Sequence, residues 1–276
     1  MVRKTLHDKM LRHLVGVQDL SWTSKVKINR EYHIHMFELP TKPQSTAKIL
    51  EDGFKLFILC FPKVLPLALA DAALSVLLYW LIPELNSPDM IILMNAMTDS
   101  MPYFILYMII MLLLQTAIFY RINAILTQSD RGNFDALLQA GKKLLPIFLA
   151  TWLYTFLVAI GLMVIIPGIL FAVSLRFFTP LILFENATIF QSLQRSHQLV
   201  WGNWWRTALI LMVPLFISMF IGVIASTVAS GIFADKWLEQ VTYLTMDKLF
   251  NPLFYAIMLL QYYALQSEPV EKHFVA

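Results

Sequence analysis

Six apolar runs, each long enough to cross a bilayer, lie between Val64 and Leu265 of this 276-residue chain. They cover about 64–82, 103–126, 144–166, 168–184, 207–228 and 249–265, the last preceded by an expected mixed loop with Asp235, Lys236, Glu239, Asp247 and Lys248. Crossing the hydrocarbon core takes about 20 apolar residues as a helix. A soluble domain is roughly half apolar and about a quarter charged. This chain is 58% apolar and 14% charged, with mean hydropathy +0.66. It could not cover a water-facing surface of that size with polar groups. The expected fold class is therefore all-α: a polytopic transmembrane bundle of about six spans.

The basic residues are placed asymmetrically. The stretch through Lys63 holds eleven Lys and Arg, and the connection between the second and third runs holds Arg121, Arg131, Lys142 and Lys143. The loop at 83–102 carries Glu84, Asp89 and Asp99 and no basic residue. Basic residues mark the cytoplasmic side of membrane spans, so both termini are expected in the cytoplasm. The net charge of +3 belongs to these flanks and does not call for a nucleic-acid partner. Tyr79, Trp80, Tyr103, Trp204 and Trp205 fall at run ends, where amphipathic aromatics favour the headgroup level. The apolar stretch at 11–17 is short and broken by Arg12 and His13, so no cleavable signal peptide is expected and the first span acts as the anchor. The organisation expected is a polar cytoplasmic segment (1–44), a membrane domain (45–266) and a cytoplasmic tail (267–276). Residues 1–35 lack any organised pattern and read as an overextended start or a disordered tail ahead of Met36. Cys60 is the single cysteine, which leaves no intramolecular disulfide and no cysteine-based metal cluster.

A second pattern precedes each odd-numbered run. Ile49, Leu50, Phe54, Phe57, Ile58 and Phe61 recur at helical spacing against Lys48, Glu51, Asp52 and Lys55. Phe134, Leu137, Leu138, Gly141 and Leu145 oppose Asp135, Gln139, Lys142 and Lys143. Ile189, Leu193, Val200 and Trp204 oppose Gln191, Gln194, Arg195 and Gln198, with Thr188-x-x-Gln191 as a capping box. Each predicts an amphipathic helix lying on the cytoplasmic face. The chain then reads as three parallel helix-hairpin units, each an interfacial helix, a span out and a span back. Pro167-Gly168 is the expected turn between the third and fourth spans.

The stretch PGILFAVSLRFFTPLILFENATIFQSLQRSHQLVWGNWWR, from Pro167 to Arg206, resembles the segment shared by YciC-like bacterial inner-membrane proteins and the membrane domain of some glycerophosphodiester phosphodiesterases. The positions that carry the likeness are Pro167, Gly168, Arg176, Pro180, Glu185, Arg195, Ser196, Gly202, Asn203 and Trp204, with Ser192 ahead of the basic-Ser pair. The match covers about forty residues; elsewhere it is one of topology. The resemblance implies a six-span bundle in the bacterial inner (plasma) membrane. It implies no phosphodiesterase activity, because the soluble catalytic barrel and its metal-binding residues are missing.

The chemistry-bearing candidates are Asp71, Arg176 and Glu185 in or beside the spans, with Arg195, Ser196 and Asn203 at the interface. A mid-membrane Arg costs about 2.5–3.5 kcal/mol even on lenient scales, so Arg176 is expected to face the bundle with Glu185 or Asp71 as its partner. A structural ion pair is the favoured role for it, ahead of transport. Gln115 and Gln261 are expected to hydrogen-bond between helices, and Gly161 and Gly222 to be close-packing points. The six histidines are scattered and complete no metal site. No Walker, GxSxG or HExxH motif is present. No catalytic residue, cofactor or metal is expected. The function expected is a non-catalytic structural or accessory role in the envelope, in lipid homeostasis or membrane-complex assembly. Its partners would be membrane lipids and other envelope proteins. The alternative is a transporter or channel using Asp71, Arg176 and Glu185. A membrane-embedded lipid enzyme has least support.

Overall fold

A computed structural model describes residues 44–82, 84, 87, 89–129, 131–233 and 236–267. The expectations for residues 1–43 and for the tail beyond Ser267 lie outside the described residues. Among the described residues all regular structure is helical. In chain order the helices are α1 (Thr46–Leu81), α2 (Met90–Asp99), α3 (Met101–Leu126), α4 (Asn133–Leu162), α5 (Ile166–Ser174), α6 (Phe178–Glu185), α7 (Ile189–Val200), α8 (Trp204–Phe233) and α9 (Lys236–Gln266). By length and composition α1, α3, α4, the segment Ile166–Glu185 and α8 could each cross a membrane.

The first two amphipathic stretches are not separate interfacial helices. Ser45 caps α1, its Oγ accepting from the Lys48 N–H at 3.3 Å, and the helix then runs unbroken through Pro62 and Pro66 for 36 residues. One buried stripe, Ile49, Gly53, Leu56, Cys60, Val64, Leu67, Ala68 and Asp71, stays in phase along it. At 1.5 Å per residue it is about 54 Å long, well beyond a hydrocarbon core of about 30 Å. Its amphipathic end thus continues the span axis, with Lys48–Asp52 and Glu51–Lys55 pairs on its exposed side. Ile58, expected on the buried face, is exposed. Helix α4 likewise absorbs the second amphipathic stretch through Pro146. Proline inside a helix kinks it without ending it when neighbours hold both sides. No Gly-Asn pair stands at either place, and Gly141 stays inside α4.

Other boundaries also move. The turn after α4 is Met163–Val164–Ile165, with Ile165 at φ 65°. Pro167 and Gly168 belong to the first turn of α5, where proline's missing N–H costs no helical bond. A Cβ on Gly161 would lie 2.7 Å from the Cα of Gly168, so this pair sets how closely α4 and α5 approach. Gly222 similarly faces the Tyr243 ring. The loop at 83–102 contains α2, capped by Asp89, whose Oδ1 accepts from the Ile91 N–H at 2.8 Å.

The expected loop before the sixth run is helical as well: Lys236–Gln266 is one helix. It occupies the centre of the bundle, since every residue from 252 to 262 is buried. Gly53 of α1 lies so close that a Cβ there would sit 3.2 Å from the Ile257 Cα. Gln261 donates to the Thr207 hydroxyl of α8 at 2.9 Å, and the Tyr263 hydroxyl bonds Asn123 of α3 at 2.7 Å. Surrounded in this way, α9 tolerates Asn251, Gln261 and four tyrosines, which lower its hydropathy.

Candidate functional site

The fourth apolar run is broken. Residues Leu175, Arg176 and Phe177 separate α5 from α6 in a tight turn, and Pro180 follows in the first turn of α6. Proline at that place removes a donor that has no intrahelical partner. The break frees backbone groups, and a side chain from α7 takes them up. Ser196 Oγ accepts from the Phe177 N–H at 3.0 Å and donates to the Ser174 carbonyl at 2.7 Å. Ser196 is fully buried.

Helix α7 doubles back along the break. Its capping box forms, the Thr188 N–H donating to Gln191 Oε1 at 3.3 Å. Ser192, Leu193, Ser196 and Val200 face inward, while Gln191, Gln194, Arg195 and Gln198 are exposed, the split expected from the sequence. Gly202 adopts φ 92°, a backbone state that glycine enters without strain. Asn203 then opens α8, its carbonyl accepting from the Thr207 N–H at 2.9 Å. The Trp204 indole donates to the Leu170 carbonyl at 3.4 Å, and Arg206 reaches the Gln44 carbonyl. Glu185 accepts from the Tyr262 hydroxyl and from Gln266 Nε2, each at 2.5 Å, and pairs with Arg195. Helix α6 passes across α9 here: the Phe177 ring lies 6.3 Å from the Tyr262 ring, while Glu185, two turns on, meets the hydroxyl of the same tyrosine.

Glu185, Arg195 and Ser196 therefore form a joint that fastens α7 to the break and α6 to α9, and Asn203 lies beyond it at the start of α8. The expected pairing of Arg176 with Glu185 or Asp71 does not occur. The Arg176 guanidinium lies 4.9 Å from the centre of the Phe254 ring, and no carboxylate among the described residues is in ion-pair range of it. Glu185 is already committed to Arg195. Asp71 lies on α1, fully buried, and neither carboxylate oxygen receives a hydrogen bond of normal geometry, although Gln115 faces it. The charges acting on Asp71 are Lys248 and Asp247 of α9, themselves paired at 3.3 Å. Sequence reading placed these two in a loop. The signal that could have located them is the matching acid on α1.

Arg176 lines a cavity of about 170 Å³ between α3, α4, α9 and the break. Gln115, Thr116, Tyr154, Thr155, Thr179 and Tyr255 supply its polar wall. Met111, Leu112, Phe119, Phe178 and Met258 supply the rest. A second, larger cleft of about 620 Å³ lies where Trp201, Trp204 and Trp205 meet Ile166 and Leu170.

Length, composition and this buried polar wiring define an α-helical membrane protein. A family described as a domain of unknown function (DUF7847) matches residues 103–265. That is more than half of the chain, and the chain belongs to this family. It takes in the broken helix, the α7 joint and α9. No curated protein and no solved structure matches the chain.

Proposed function

We propose that the protein is a six-span inner-membrane protein with both termini in the cytoplasm and a non-catalytic, accessory role in the envelope, in lipid homeostasis or in assembly of membrane complexes. The observation that carries this is the use made of the ionisable residues. Glu185, Arg195 and Ser196 are taken up by the α7 joint, and Asp71 and Arg176 stand apart on α1 and at the α5–α6 break. Among the described residues Asp71, Arg176 and Glu185 do not converge on one position, where catalysis would call for acid–base groups brought together. Helix α9 is the sixth span in this reading. Polar side chains are tolerated in a span when they face the bundle interior, which the Gln261–Thr207 and Tyr263–Asn123 bonds do. The likeness to YciC-like inner-membrane proteins supports the same topology, as does the concentration of basic residues before α1 and between α3 and α4.

Reporter fusions test the topology. Those after Asn86 and after Asp235 should read outside, and those after Arg131 and at the C-terminus inside. An inside signal after Asn86 would overturn the orientation. For the role, deletion in the native host should alter lipid composition or the migration of membrane complexes in native gels. A second reading, a transporter of a small solute or lipid, is favoured by the cavity at Arg176. A deletion that leaves lipids and complexes unchanged but abolishes uptake or export of one solute would favour it.

A further inference from the structure

The cavity at Arg176 has a polar wall that the protein leaves unused. Among the described residues the hydroxyls of Thr116, Thr155, Thr179 and Tyr255 make no hydrogen bond, whereas Thr151 and Tyr154 donate to the Ile147 and Ala172 carbonyls. The guanidinium is held over Phe254, so its edge remains available. Guanidinium binds a carboxylate through two parallel hydrogen bonds, and hydroxyls beside it can donate to the remaining lone pairs.

The mouth decides which acid. Thr155 is exposed at the rim, and its neighbours on α4, Trp152 and Phe156, are 55% and 60% exposed. In the membrane reading, on which this inference rests, those apolar side chains face lipid. The route in is therefore through hydrocarbon. A permanently ionised phosphate ester pays a heavy desolvation penalty on that route. A carboxylic acid can take it in the neutral form, since low dielectric favours its protonated state. The volume suits the head of such a molecule, with its chain lying out past Trp152 and Phe156.

We propose that the Arg176 cavity binds the carboxyl group of a long-chain carboxylic acid that enters sideways from the bilayer between α3 and α4.

The test is equilibrium binding of radiolabelled hexadecanoic acid to the purified full-length protein in detergent. One site per chain is expected, with 1-hexadecanol at least tenfold weaker as a competitor and with inorganic phosphate and phosphatidylglycerol ineffective. Arg176→Gln should weaken binding at least tenfold, as should Thr155→Trp, which blocks the mouth and leaves Arg176 in place. Should Arg176→Gln fail to fold, Thr155→Trp at the exposed rim decides alone. Equal competition by 1-hexadecanol would overturn the proposal in favour of a purely apolar cleft. Displacement by phosphate would make it a site for soluble anions, and displacement by phosphatidylglycerol a phospholipid site, and either overturns it. Absence of binding to the unmodified protein, while the reporter fusions keep their pattern, sinks the acid site alone. An altered fusion pattern in the unmodified protein sinks the membrane topology instead.

Discussion

Replacing Ser196 by alanine isolates the joint at the broken helix. The change removes one oxygen that satisfies two backbone groups at once, the Phe177 N–H at 3.0 Å and the Ser174 carbonyl at 2.7 Å. Ser196 has no exposed surface, so water cannot replace the hydroxyl without opening α7. A buried donor or acceptor left bare costs about 1–3 kcal/mol. The carbonyl tolerates loss better than the N–H, which puts the total at about 2–4 kcal/mol. For a chain this long each kcal/mol moves the midpoint by about 2–4 °C, so Ser196→Ala should melt roughly 4–16 °C below the parent. The assay is thermal unfolding of the purified protein in one detergent at one scan rate. Gln194→Ala, on the exposed face of the same helix, is the control for lost helix context. Arg195→Ala is a second control: its partner Glu185 keeps Tyr262 and Gln266, and an exposed pair contributes at most about 1 kcal/mol. If Ser196→Ala melts with Gln194→Ala, the break is held by something other than this hydroxyl, and α7 is not its fastening.

Leu193→Asp should lower the melting point far more than Gln194→Asp, because Leu193 is buried and Gln194 exposed; equal effects would mean that α7 is rotated from this orientation. Gly53→Ala forces a methyl against Ile257 of α9 and should cost about 1–3 kcal/mol as overpacking. In a double-mutant cycle, Ile257→Ala should then be less damaging in the Gly53→Ala background than alone, and strict additivity would refute the contact.

The fold class was legible because apolar length is a strong signal, and α3, α7 and α8 lie close to their expected places. Helix α7 was legible in detail because its stops are chemical: Thr188 and Gln191 at one end, Gly202 and Asn203 at the other. The first two amphipathic stretches carry no Gly-Asn pair before Val64 and Leu144 (Gly141 lies inside α4), and their buried stripes run on in phase, so they merge into α1 and α4. Proline alone does not mark where a helix breaks. Pro62, Pro66 and Pro146 sit inside continuous helices, while the real break precedes Pro180, where the stabilising group is Ser196 on another helix. No local pattern announces a bond between residues nineteen apart. The Asp247–Lys248 pair was read as loop because charge marks loops locally; across the bundle it answers Asp71.

The separation of Arg176 from any acid yields the sharpest contrast with expectation. Losing one member of a buried ion pair costs about 3–5 kcal/mol, and that is what Arg176→Ala would do if Glu185 or Asp71 were its partner. The structure gives Arg176 a ring instead, and a cation over a Phe contributes about 0.5–2 kcal/mol. Arg176→Ala should therefore be a mild change, and neither Glu185→Gln nor Asp71→Asn should rescue it. Glu185→Gln should itself be harmful, since it weakens two contacts to α9 and one to Arg195 of α7. Asp71→Asn should be neutral or stabilising by itself: it discharges a buried carboxylate that accepts no hydrogen bond, and Lys248 keeps Asp247. Melting points of the three single and two double variants decide between the two pictures. A severe loss from Arg176→Ala that Asp71→Asn restores would show that the guanidinium swings across Tyr255 to Asp71 in the membrane, and the cavity beside it would then lose the free cation on which acid binding depends.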